Sequence, residues 1–124
     1  MKHVLLVDDD QSVLQFMGRA LGSDYHLTVA RDGFEAWAAA ERMIHIDLII
    51  TDYFMPSMFG DELIARARER QPGVQTLMVT GHCDELDREA PPWWQGQPHL
   101  DKPVRLDALR ERVTAMIGEA QHAN

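Results

Sequence analysis

Residues 47–60 read DLIITDYFMPSMFG. Leu48 to Thr51 are apolar or β-branched with no polar alternation, the pattern of a strand covered on both faces in a parallel sheet. Asp52 follows at the strand's mouth, and Pro56 and Gly60 then turn the chain into a loop. A carboxylate at the end of a buried strand is penalised for ionising. We read Asp52 as held there for its nucleophilicity, so the rest of the chain must supply what makes the position tolerable.

Similar runs recur on both sides. VLLV (4–7), YHLTVA (25–30) and VQTLMVT (74–80) read as strands, and HLDK (99–102) as a short fifth. Helical spacing fills the gaps. Val13, Phe16, Met17, Ala20 and Leu21 follow Ser12, a plausible N-cap, and stop at Gly22. DGFEAWAAAERM (32–43) has Ala-rich propensity, and GDELIARARER (60–70) turns Leu63, Ile64 and Ala67 inward. RLDALRERVTAMIGE (105–119) carries Leu106, Leu109, Val113 and Met116 on one stripe. Alternating strands and helices predict an α/β fold, an open parallel sheet with helices on both faces and right-handed crossovers. Such sheets place their active crevice at the strands' carboxyl ends, where strand order reverses.

Composition narrows the function classes. The 124 residues suffice for a single domain, expected over 1–124, with its own core. Twelve basic against 20 acidic residues give a net charge of −8, the wrong sign for a nucleic-acid binder. Cys83 is the one cysteine, which rules out an internal disulfide, and the six histidines look scattered, with no zinc-site spacing. No run approaches the ~20 apolar residues of a membrane span. A cytoplasmic protein is the expectation.

Reactive side chains then fall where the crevice should be. Asp8 and Asp9 follow the first strand, Asp52 the third, Thr80 the fourth and Lys102 the fifth. Singly, each has a bland explanation: helix-initiating acids, an ordinary turn, a surface lysine. Together at matching strand ends they are hard to dismiss. Charges about 4 Å apart at an effective dielectric near 20 repel by roughly 4 kcal/mol per pair, so a carboxyl must protonate or a cation must bind. Hard oxygen donors beside a phosphate-sized gap favour Mg²⁺. With Lys102 and the Thr80 hydroxyl, the set suits phosphoryl transfer to a carboxylate. The glycine-rich loops of nucleotide binders, GxxxxGK[ST] and GxGxxG, are absent.

VLLVDDD, ARDGFEA, DLIITDYFMPSMFGDEL, LMVTGH and LDKP resemble, in order and spacing, the blocks of the receiver domain of two-component response regulators. The likeness covers about residues 3–117. It implies a flavodoxin-like (βα)5 three-layer sandwich with strand order 2-1-3-4-5. It further implies that Asp52 accepts a phosphoryl group from a sensor histidine kinase or phosphotransfer protein. Asp9, Asp52 and the Phe54 carbonyl should ligate Mg²⁺ directly, with Asp8 acting through water. Lys102, ahead of a cis Pro103, should contact the phosphoryl oxygens, and Thr80 should turn toward them and report to a downstream protein. Met55, Pro56 and Gly60 match the loop that follows, with Gly60 expected at a backbone angle other residues dislike.

The sequence departs from the family in its output half. His99 stands where the family has an aromatic switch residue, which puts a conventional switch in doubt and invites a pH-sensing alternative, an ordinary hydrogen-bonded histidine being the preferred reading. Pro91 and Pro92 should shorten the fourth helix to roughly residues 83–89. One of Trp93 and Trp94 is then expected to fill the vacated volume; the alternative is an anchor for a partner or a second copy. Phe54 and His82 sit where the family tunes acyl-phosphate lifetime, and Cys83 reads as a packed residue rather than a redox sensor.

The chain ends soon after its last helix, which suits a stand-alone receiver as well as one cut from a longer regulator or hybrid kinase. Two other readings compete. One is a small aspartyl-phosphate phosphohydrolase, which would carry a second aspartate where Phe54 stands. The other is a pseudo-receiver that binds partners without phosphorylation.

Overall fold

The computed structural model describes residues 1–118. Five strands, β1 (His3–Val7), β2 (His26–Ala30), β3 (Leu48–Thr51), β4 (Gln75–Thr80) and β5 (His99–Asp101), alternate with α1 (Gln11–Leu21), α2 (Gly33–Arg42), α3 (Gly60–Arg70), α4 (Cys83–Glu89) and α5 (Leu106–Ile117). All strand pairs are parallel, in the order β2-β1-β3-β4-β5. The flavodoxin-like three-layer arrangement is as expected.

The unbroken apolar strands make sense because both sheet faces are covered. Val4, Leu6, Leu48, Ile50, Leu77 and Val79 pack on Leu14, Met17 and Leu21 of α1 and on Leu109, Val113 and Ile117 of α5. Leu5, Val7 and Ile49 point the other way, onto Ala36, Ala39 and Ala40 of α2 and Leu63 and Ala67 of α3. One strand thus feeds two cores with a period of two.

Three local expectations shift. The N-cap of α1 is Asp10, whose Oδ1 accepts from the Ser12 N–H at 2.8 Å; a carboxylate two residues earlier outcompetes the Ser12 hydroxyl. The buried stripe of α5 is Leu109, Val113 and Ile117, while Leu106 in the first turn is exposed and Met116 only partly buried. Gly60 is required for closeness rather than for an unusual dihedral. It opens α3, and a Cβ there would lie 2.1 Å from the Asp52 carbonyl oxygen. The left-handed residue of that loop is Ser57 (φ 71°).

The fourth helix stops where the prolines demand. Ala90 adopts a left-handed cap (φ 47°), and irregular chain carries 91–97 to β5. Trp94 fills the space beside the short helix, buried among Ile64, Met78, Cys83 and Leu86, with its indole N–H donated to Asp87 at 2.8 Å. Trp93 lies half-buried against Tyr53. The filling role falls to Trp94. No described helix is long and apolar enough to cross a membrane.

Candidate functional site

The strand ends deliver the expected side chains to one rim. Asp8 leaves β1 fully buried, Asp9 beside it is exposed, and Asp52 leaves β3 with 7% of its surface exposed. One carboxylate oxygen from each lies within 4.8 Å of the others. Lys102, just past β5 and joined to Pro103 by a cis peptide bond, places Nζ 2.8 Å from Asp52 Oδ2 and 2.7 Å from Asp8 Oδ2. Its hydrogen bond goes to Asp52. The same ammonium forms the 2.7 Å ion pair with buried Asp8.

Electrostatics follow from that crowding. Burial pushes the Asp8 carboxyl above its usual range; Lys102 and the Asp10 N–H, 2.9 Å from Oδ1, pull it partly back, and Asp52 adds repulsion. For Lys102, burial opposes the charge, but its bonds to Asp52 and Asp8 prevail and hold the ammonium pKa above normal. The pocket therefore contains one cation against three acids and a donor set of oxygens alone. These features fit a hard divalent ion.

Thr80 ends β4 fully buried, and its Oγ1 accepts from the His82 N–H at 3.2 Å, leaving its own proton free to donate. The His82 ring meets Phe54 edge-on at 4.5 Å. Phe54 is 40% exposed and also touches Tyr53 and Phe59, so an aromatic wall flanks Asp52. Sequence reasoning missed Tyr53, whose N–H donates to Asp52 Oδ1 at 2.6 Å; a backbone donor leaves no mark on residue type. Met55 is buried, and the Thr51 hydroxyl lies 3.6 Å from its Sδ. The Pro56 carbonyl accepts from the Met58 N–H at 2.9 Å. The Cys83 thiol is buried and pushed up to about 12, by burial first and then by Asp101, which suits packing and not redox sensing.

His99, at the switch position, stacks on Trp94 with ring centroids 4.2 Å apart, and its Nδ1 lies 2.8 Å from the Gln97 carbonyl. Both contacts are those of a packed, hydrogen-bonded histidine.

A family model described as the response regulator receiver domain matches residues 4–114. The chain belongs to that family. The transcriptional regulatory protein GlrR of Escherichia coli is 35% identical over 122 residues, which are 98% of this chain but 27% of GlrR; the chain spans about a quarter of that relative. A CheY-like receiver domain protein from Methanospirillum hungatei superposes with a TM-score of 0.84 at 27% identity, covering 94% of each chain. The response regulator TrrA from Thermotoga maritima, solved with Mg²⁺ and BeF, gives 0.80 at 25% identity over 94% of this receiver and 99% of TrrA. The receiver is thus a two-component module whose family signals through phosphorylation. Family membership overrides the phosphohydrolase reading, since receivers are not turnover enzymes in the usual sense.

Proposed function

We propose that residues 1–124 form one receiver domain that accepts a phosphoryl group on Asp52 and signals by the resulting change of shape. The single observation that carries this reading is the rim itself, with Lys102 Nζ within 2.8 Å of both Asp8 and Asp52 and three carboxylates within 4.8 Å. A sensor histidine kinase or phosphotransfer protein is the donor. The P–N bond of its phosphohistidine breaks, a P–O bond to the Asp52 carboxylate forms, and the imidazole leaves with the electron pair.

Each residue of the rim has a task. The Tyr53 N–H and Lys102 hold the Asp52 carboxylate at both oxygens before attack. Lys102 then spreads the charge of the phosphoryl oxygens, and the Thr80 hydroxyl donates to one of them. Asp9, Asp52 and the Phe54 carbonyl would hold Mg²⁺, with Asp8 acting through water; the ion supplies charge neutralisation at the transferred group. Movement of Thr80 passes the signal to a downstream protein. His99, set against Met78 two residues before Thr80, would follow that movement through its stack on Trp94. An apolar groove beside Lys102, lined by Ser12, Val13, Phe16, Pro103 and Val104, gives a donor protein a surface next to the rim. The cytoplasm is the setting such a donor implies.

The test is incubation with Mg²⁺ and acetyl phosphate, followed by intact-mass measurement. One added phosphoryl is expected in the parent chain and none in Asp52→Asn. An unchanged parent mass would favour the pseudo-receiver.

A further inference from the structure

Three histidines remote in sequence lie at the amino ends of the strands, His3 and His26 ring to ring and His45 linked to His3 through Asp47. The parallel register sets His3 of β1 directly against His26 of β2, and Val4 against Leu48, which brings Asp47 level with His3 on the other side. Leu5 and Val7 share the α2–α3 face of the sheet, so the period of two puts His3 on that face, flanked by His26 and Asp47. The His3 and His26 rings stack nearly parallel with centroids 5.0 Å apart, and both residues are exposed. The Asp47 carboxylate ties in the third histidine: Oδ1 lies 2.8 Å from His45 Nε2, while Oδ2 accepts from the His3 N–H at 2.8 Å.

We propose that His3, His26 and His45 form a site for a divalent transition-metal ion of zinc type, with Asp47 orienting His45. Imidazole nitrogens select such ions over Mg²⁺, which prefers the oxygens of the far rim. A ring held at one nitrogen by a carboxylate, leaving the other for the metal, is the usual outer support of a metal-bound histidine. Among the described residues, only Asp8, Asp9 and Asp52 already gather three donor atoms within 4.8 Å, so the histidine site closes by turning its rings onto the ion. Their exposure makes that rotation inexpensive. Neighbouring strands are about 4.8 Å apart, and Zn–N bonds of about 2.1 Å let a facing pair share one ion. Lys2, whose charge acts on Asp47, bonds instead to the Ile117 carbonyl on α5. A bound ion would cross-link β1, β2 and the entry to β3, which are far apart along the chain.

Zinc titration in excess Mg²⁺, followed by NMR of the histidine ring protons and by calorimetry, tests this. The His3, His26 and His45 rings should shift while His82 and His99 stay still. His26→Ala should weaken zinc binding at least tenfold and His45→Ala by a smaller factor, with the amide spectrum of each variant confirming the fold. Unmoved His3 and His26 rings, or His26→Ala binding as tightly as the parent, would overturn the proposal. Shifts confined to His82 and the acidic rim would do the same.

Discussion

Asp8 and Lys102 face each other across the rim, yet their charges push stability in opposite directions. The folded Asp8 carboxyl has a pKa above that of the unfolded chain, so its ionisation costs stability at neutral pH, and the cost disappears as pH falls below the carboxylate range. Lys102, raised above its ordinary value, contributes stability below the unfolded lysine pKa and loses it as pH rises through the folded one. Asp8→Asn should therefore stabilise the cation-free protein by about 1 kcal/mol, whereas Lys102→Ala, which leaves two buried acids without their partner, should cost about 2–3 kcal/mol. Urea unfolding of both variants measures this. Losses of equal sign would show that the rim is not under electrostatic strain.

Among the elements, the short α4 and the amino edge of the sheet carry the sharpest expectations. Trp94 is buried and hydrogen-bonded, so Trp94→Ala should cost about 3 kcal/mol in urea unfolding, while half-buried Trp93→Ala should cost about 1 or less. Equal losses would reassign the two indoles. At the start of β3, Asp47 is held below its usual range. Burial opposes this, but the His3 N–H and then His45 prevail. A depressed folded pKa gives stability that is present above the unfolded value and lost as pH falls through the folded one. Asp47→Asn should accordingly lose about 1 kcal/mol at pH 7, with the difference narrowing below the carboxylate range. The length of α4 could be read from Pro91 and Pro92 because proline acts locally. The runs of β1, β3 and β4 were legible because burial on both faces favours unbroken apolar residues, whereas β2 and β5 are partly exposed. The histidine cluster was not, since His3 and His26 become neighbours only through strand register and His45 joins them only through Asp47. Gly60 was recognised as a glycine position but for the wrong cause, because the Asp52 carbonyl that crowds it approaches only once the loop has folded.

Across the whole molecule, sheet polarity separates two kinds of donor. The carboxyl ends of the strands collect Asp8, Asp9, Asp52, Thr80 and Lys102; the amino ends bring together His3 and His26, with Asp47 beside them. Five strand-end residues could be assigned to one rim because parallel strands must all point the same way. The spacing between them required coordinates. At about a hundred times its dissociation constant, Mg²⁺ should raise the unfolding free energy by about 2.7 kcal/mol, and Asp9→Asn should remove most of that gain. Thermal unfolding with and without Mg²⁺ reads it directly.

Every role assigned to the carboxyl rim depends on an acyl phosphate forming at the mouth of β3 and at no other carboxylate. Borohydride reduction of the phosphorylated chain converts the modified aspartate to homoserine, which peptide mass mapping locates. Homoserine at residue 52, appearing only when Mg²⁺ and phosphodonor are both present, is the predicted result; homoserine at Asp8, Asp9 or elsewhere, or none at all, would contradict it.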